Sequence, residues 1–558
     1  MKKSTCISFF SMVLLFSVSC DTLNEEIVSD ITADTHYSDP GGFEDAVNAA
    51  YEPLRYFYGD EQGGNITEYG TDLIQNAGHG GYHYMNEYDA GLNSEAWPME
   101  NLWNNYYVGI NTANTAINRA SELEDMEEGQ KNAKLAEAHF LRAHYYFTLV
   151  QFFGAIHLTT EETTGVETEA ERTPPEEVYA QIVSDLEFAV THLPATQTDY
   201  GRVTEPAAKM LLSQVLLTRG YQDFASGDDY SRAATLAESV INDYNFQLLD
   251  EFEMIFDNDN EENAEVIWSV QYGKNPLLNG IDGDGNTLGN RSHLYYRPWY
   301  ETYSDGLVRS LAPGYGRPWI RFKMTPFALQ NFRPIEDDSR YARSFQDTWY
   351  YNDASSIPEF PNAPNSNPTV GDTAIYIDPD MTASEVEQNQ DNTSYYLMSW
   401  ATSHTSDNIN MFPSLIKHDD FQRPDVNEMA GNKDYIVYRL AEAYLFAAEA
   451  HLMDGNANAA ARNINEVRRR AAWDGEESDM EITAGEVTLD FILDERGREF
   501  YGEQKRWLVL KRTGTLLERV RKHNELAAPN IEEYHLLRPI PATQLNRTAG
   551  DYGQNPGY

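Results

Sequence analysis

Residues 133–156 read AKLAEAHFLRAHYYFTLVQFFGAI, and the way this stretch folds decides the architecture of the chain. Ala136, Phe140, Ala143, Phe147 and Val150 recur at steps of four, three, four and three, the period of an amphipathic helix with a narrow apolar seam. Small residues let a second backbone approach while the rings fill the space beside it. The spacing therefore predicts a helix paired with another inside an all-helical array.

The same period recurs on both sides. From about Gly41 to Tyr244 the segments GFEDAVNAAYEPLRYF, WNNYYVGINTANTAINRA, PPEEVYAQIVSDLEFAVTHLP, TEPAAKMLLSQVLLTRG and YSRAATLAESVINDY read as successive helices. Thr173 before Pro174 and Pro175 is a start signal, and Gly220 a stop. Helical spacing returns at DYIVYRLAEAYLFAAEAHLMDGNANAAARNINEVRRRA, residues 434–471. There Ala443, Ala447 and Ala450 lie on one helix, Gly455 ends it, and Ala457, Ala461, Ile464 and Val467 lie on the next. This is an αα-hairpin of the length of a tetratricopeptide unit. Between the two regions, 245–434 is broken into pieces rich in Gly, Pro, Asn, Asp and aromatics, as expected of elaborated loops that carry function. Within it, EVIWSVQY alternates like a short buried strand.

The chain has 558 residues, 41% of them hydrophobic, enough to bury a large core. It opens MKKSTCISFFSMVLLFSVSC: Lys2 and Lys3, then an apolar run from Ile7 to Val18 that is too short to span a bilayer core of roughly 30 Å. Residues 1–19 read as a secretory signal. Its end, Ser17-Val18-Ser19-Cys20 followed by DTLNEE, resembles a bacterial lipoprotein box in which Cys20 becomes the lipidated first residue; an ordinary signal peptide is the alternative. The other cysteine, Cys6, falls within the signal, so neither a disulfide nor a thiolate metal site is expected. A lipid on Cys20 would hold the N-terminus at a membrane with the remainder in water.

The formal net charge is −48, and loss of residues 1–19, which hold two lysines and no acid, makes it more negative. Such a surface repels phosphate backbones, which argues against nucleic acid as a partner and for a neutral or cation-bridged ligand. A solubility role for the charge is the plain alternative.

In order along the chain stand FEDAVNAAY, LWNNYYVGINTANTAI, LAEAHFLRAHYYFTLVQFFGAIHL, EEVYAQIVSDLEFAVTHLP and GRVTEPAAKMLLSQVLL. Toward the C-terminus come YRLAEAYLFAAEAHL, INEVRRRA, ERGREFYGEQKRWLVLKRTG, LLRPIPATQLNRT and the closing GQNPGY. Together with the lipoprotein start they resemble the SusD/RagB family of Bacteroidetes outer-membrane nutrient-binding lipoproteins. The likeness covers nearly all of the chain after the signal, and RPIP with QNPGY is its most specific part. One departure is Val509, two residues after Trp507, where the family usually has an acid. The resemblance implies a mostly α protein: a tetratricopeptide-like α-α superhelix of four units, with an irregular, loop-rich middle and C-terminal region docked on it. It divides the chain into a signal (1–19), an N-terminal helical region (20–244) and a C-terminal region (245–558), loop-rich over 245–434 and helical over 435–558. It also implies a role as a lipid-anchored, outward-facing outer-membrane protein. Such a protein captures oligosaccharide, or in some relatives peptide, and passes it to a SusC-like TonB-dependent β-barrel. A secreted glycoside hydrolase and a tetratricopeptide-like adaptor are the competing classes, and no nucleophile or metal motif supports the former.

Within the motifs, Arg142 and the set Glu495, Arg496, Arg498, Glu499 and Arg506 stand at helical spacings that suit a buried charge network, and Trp103 and Tyr106 suit a core. Ligand contacts are expected from loop aromatics, because the C–H faces of sugars stack on flat rings and polar neighbours then fix the hydroxyls. The candidates are Tyr82, Tyr84, Tyr88 and Trp97 in the loop 78–97, and Tyr296, Trp299, Tyr300, Trp319 and Trp349 in the middle region. Asn76, Asn93, Asn101 and Arg297 are candidate polar partners. Asp282, Asp284 and Asn286 place oxygens on alternate residues as a calcium loop does. The twelfth position is His293 rather than glutamate, which excludes an EF-hand; a solvated turn is favoured, with calcium the possible cofactor. DNDNEEN at 257–263 reads likewise as an exposed loop. His79 and His83 are four apart, but two glycines between them break any helical zinc pair.

Overall fold

A computed structural model describes residues 39–558 apart from 124, 274, 276–278, 280–287 and 404–409. Cys20 and the turn residues Asp282, Asp284 and Asn286 lie outside the described residues. Among the described residues nine helices run to ten residues or more. They are α1 Pro40–Ala49, α2 Trp97–Arg119, α3 Glu128–Phe153, α4 Pro175–His192, α5 Glu205–Arg219, α6 Asp229–Asp243, α7 Leu440–Met453, α8 Ala457–Ala471 and α9 Leu489–Glu499. Neighbours pack in sequence, α2 on α3, α3 on α4, α4 on α5 and α5 on α6; α7 then packs on α6, and α8 on α7. The second helical region thus continues the array started by the first, and the fold is a mostly α superhelix.

The opening stretch forms α3, but its seam is not narrow: every residue from Phe140 to Phe153 is buried. Two flanks are covered by α2 and α4. A third is closed by segments distant in sequence, with Trp268 edge-on to Phe140 at 5.0 Å and Trp507 stacked on Phe152 at 5.2 Å. Burying each such ring stabilises by about 1.5–3 kcal/mol. Polar residues on this helix are tolerated because they are bonded. Arg142 grips Asp185 of α4 with two nitrogens at 2.9 and 2.7 Å and Asn114 of α2 at 2.8 Å, holding three helices in register. Gly109 shows how close the helices come: a Cβ there would lie 2.5 Å from the Tyr145 ring. Thr173 does not cap α4. Its backbone bridges Ile156, and Pro174 precedes the first turn.

Among the described residues nine short strands stitch the loops together. β1 Ile74–Asn76 pairs antiparallel with β3 Phe322–Met324, and β2 Val266–Val270 with β9 Tyr435–Arg439. β4 Phe345–Gln346 meets β8 Ser414–Leu415, while β5 Thr348–Tyr350, β6 Thr373–Asp378 and β7 Tyr396–Ser399 form a sheet in which β6 and β7 are parallel. The strand expected at EVIWSVQY is β2, buried along its length.

A charge lattice docks the C-terminal region. Glu499 accepts from Arg340 at 2.9 Å and Arg439 at 2.6 Å and also meets Arg470. Glu495 meets Arg340, Arg468 and Arg498 at 2.7, 2.8 and 2.6 Å, and Glu503 meets Arg439 and Lys417. Glu495 and Glu499 have no exposed surface, so they are structural ion-pair partners, as their spacing suggested. The closing GQNPGY is a clasp. The Gln554 amide mimics a strand partner, donating to the Ile540 carbonyl at 2.9 Å and accepting its N–H at 2.7 Å. Asn555 donates to the carbonyls of Phe153 and Arg538 at 3.0 and 2.7 Å, tying the end of the chain to the end of α3.

Candidate functional site

β1 and β3 bring together two loops that are far apart in sequence. Their pairing continues past the strand ends, with Ala77 N–H donating to Arg321 O at 2.8 Å and His79 N–H to Ile320 O at 3.3 Å. Between Trp319 and Arg321 stands Ile320 at φ +55°, a left-handed backbone that a β-branched residue adopts at a cost of about 1–3 kcal/mol. Its buried side chain packs with Ala77 and Phe412, and Trp299 lies against that cluster. The strain is offset by this packing, and the turn carries Trp319 and Arg321 on either side of it.

Arg321 is the hub. Its guanidinium lies 5.0 Å from the centre of the Trp319 ring, pairs with Glu61 at 2.6 Å and donates to Nδ1 of His79 at 2.8 Å. Because arginine only donates, His79 accepts there and carries its hydrogen on Nε2. The exposed His79 ring in turn stands 6.2 Å from Trp299. Gly80, at φ +131°, leaves room for this arrangement: a Cβ would lie 3.0 Å from the Arg321 side chain. Tyr82 joins from the same loop and stands edge-on to Tyr84 at 6.1 Å. Burial, and then the charge of Glu61, raise the Tyr82 hydroxyl above its usual pKa, and burial pushes Tyr84 up to about 12. Both hydroxyls therefore remain donors at neutral pH. Tyr82, Tyr84, Trp299 and Trp319 are all part-exposed.

These part-exposed rings gather as a platform about an arginine that lies over one face of Trp319, with a carboxylate and an imidazole bonded to that arginine. Among the described residues, cavities of about 260, 580 and 420 Å³ lie elsewhere, and none of these is lined by platform residues.

The other candidates divide. Trp97 is 51% exposed at the start of α2, and Asn101 follows it by one turn on the same face. Asn101 Oδ1 accepts from Asn105 at 2.6 Å. Asn93 is spent on its own turn, donating to Ala90 O and accepting from Glu95 N–H. Four of the predicted rings are buried and offer no face to a ligand. Tyr88 bonds Gly70 O and receives the Trp507 indole N–H. Tyr296 lies between Phe322 and His418. Tyr300, bonded to Gly316 O at 3.1 Å, stacks on the wholly buried Trp349. Arg297 is buried against Asp419, and Asn76 is held between Glu87 and Asn86. Depth has no local signature in a chain with 12% aromatic residues, so loop position alone did not separate these rings from the exposed ones. Glu61 and Arg321 escaped the sequence reading, and His79 was read only as no zinc ligand, because Arg321 is joined to Glu61 and His79 across 260 and 242 positions of sequence. Among the described residues no group of three or more His, Cys, Asp or Glu is placed to hold a metal ion.

The sequence model of the SusD family matches residues 253–558, and that described as "Starch-binding associating with outer membrane" matches 43–217. SusD-like protein P2 of Formosa agariphila is 25% identical over 98% of this chain and 99% of its own length. Among solved structures, a laminarin binding SusD-like protein superposes with a TM-score of 0.69 at 23% identity, covering 92% of this chain and 99% of that one. Surface glycan-binding protein A from Bacteroides thetaiotaomicron, in complex with laminarihexaose, gives 0.68 at 19% identity, covering 93% and 99%. At these identities the superpositions show a shared fold.

Proposed function

The chain belongs to the SusD family, and from that premise we propose that it is an outer-membrane surface lipoprotein that stacks an oligosaccharide on the platform around Arg321 and passes it to a SusC-like TonB-dependent barrel. The observation that carries the reading is the set of part-exposed rings, Tyr82, Trp299 and Trp319, gathered with His79 about one arginine held by Glu61. Aromatic faces take up the apolar side of a pyranose, while Arg321 and Glu61 present a donor and an acceptor to its hydroxyls. The named relatives that bind laminarin and laminarihexaose support a glucan-like ligand. Binding leaves the sugar intact in this reading: Glu61 is tied to Arg321, and the late-helix carboxylates Glu495 and Glu499 are locked in buried ion pairs.

Titration calorimetry with laminarihexaose, a maltooligosaccharide and a tripeptide tests this. Saturable binding of a saccharide, unchanged on chromatography afterwards, is expected, and Trp319→Ala weakens it tenfold or more with little change in Tm. Peptide binding alone, or cleavage of the saccharide, contradicts the reading. For the anchor, Cys20→Ala is expected to move the protein from the membrane fraction to the soluble one; unchanged retention removes the lipid from the account.

A further inference from the structure

The chain carries 89 acidic residues against 41 lysines and arginines, so a cavity whose charged lining is wholly cationic needs a reason. One such cavity, of about 580 Å³, lies where α3, α4 and α5 meet the C-terminal clasp; its charged residues are Arg172, Lys511 and Arg512, and no acid lines it. Arg512 is neutralised, since Nε and Nη2 bind the two oxygens of Glu449 at 3.0 and 2.5 Å.

The other two cations have no such partner. The Lys511 ammonium donates to the Gln151 carbonyl. Arg172 donates to the carbonyls of Ala155 and Phe153 at 2.9 and 3.2 Å and to the side-chain oxygen of Asn555 at 2.5 Å. Arg538 follows the lining residue Leu537. It is fully buried, its guanidinium lies 4.4 Å from the centre of the Trp507 ring, and the Lys511 ammonium stands 5.6 Å from the same ring. Neither Arg538 nor the two lining cations pairs with a carboxylate among the described residues. Burial, with the Arg538 charge acting in the same sense, pushes Lys511 down to about 7. The carbonyls of Gln151, Phe153 and Ala155 lie at the C-terminal end of α3, whose dipole offsets part of this charge, and an anion in the cavity would offset the rest.

We propose that this cavity binds a small organic anion bearing a sulfate or phosphate group, held between Lys511 and Arg172. Its volume falls in the range of small-molecule sites and exceeds what an inorganic ion fills. Thr218, Gln222 and Tyr179 offer hydroxyl and amide groups to the rest of the molecule. Pro175, Gln222 and Pro556 on the lining keep exposed surface, so the cavity is reached from solvent. It shares no residue with the aromatic platform and stands whether or not that platform binds sugar.

Calorimetric titration of the whole protein at constant ionic strength with glucose 6-sulfate, sodium sulfate and glucose tests the proposal. Saturable binding is expected for the first two and none for glucose, and Lys511→Met and Arg172→Gln should each weaken it at least tenfold. Absence of saturable binding, or a Lys511→Met isotherm equal to that of wild type, overturns the proposal. A measurement that needs no variant is a selenate soak of wild-type crystals: an anomalous peak between Lys511 and Arg172 supports the site, and a cavity without one overturns it.

Discussion

Glu68 shows what burial does to one residue. It has 1% of its surface exposed, and its Oε1 has no hydrogen-bond partner among the described residues. Burial drives its carboxyl up to about 8, against the pull of the backbone N–H groups of Gln504 and Lys505. A carboxyl raised on folding contributes stability that is whole below its unfolded pKa of about 4.5 and is lost as pH rises through about 8. Glu68→Gln keeps the shape and removes the titration. Its unfolding free energy should therefore gain on that of wild type steadily between pH 5 and 8, as followed by denaturant unfolding; a gap independent of pH contradicts the assignment. Nothing near residue 68 in the sequence announces this, because the enclosing groups come from residues beyond 500. His79 has the same kind of history. Its spacing from His83 across two glycines said only that the pair is not a helical zinc site, and its bond to Arg321 depends on the pairing of β1 with β3.

Among elements, the helices were legible and the strands hardly so. The stripe from Ala136 to Val150 identified α3, and the alanines after Ala443 identified the α7–α8 pair, because one helix face repeats within a few residues. The parallel pairing of β6 with β7 and the two-residue contact of β4 with β8 join segments too short to show a period. The charge lattice lies between these cases. The spacing of Glu495, Arg498 and Glu499 on α9 pointed to ion pairs, whereas Arg340, Arg439 and Arg470, which complete it, come from three other segments. Burial alone would raise Glu499, but the charges of Arg470, Arg439 and Arg340 prevail and bring it to about 2. Glu499→Gln leaves those arginines short of a counter-charge in a dry interior, and a loss of about 3–5 kcal/mol in unfolding free energy is expected. A loss under about 1 kcal/mol would mean that the lattice is wet or redundant.

At the scale of the molecule, the helical array is the mount and the loops are the instrument. The array is extended by α7 packing on α6, and Asn555 of the C-terminal clasp ties the end of the chain to the end of α3, so the loops grow from a packed base. The motif order already indicated this arrangement. What it did not indicate was which loop rings reach the surface: Trp299, Trp319 and Tyr82 do, whereas Tyr300 and Trp349 stack on each other in the core. The central claim is that the rings around Arg321 receive the saccharide. Its most direct measurement is a crystal structure of the protein with the oligosaccharide it binds best. The account predicts a pyranose ring lying flat against Trp319 or Trp299, with its hydroxyls within hydrogen-bond distance of Arg321 or Glu61. A sugar bound elsewhere, with these rings bare, would contradict it.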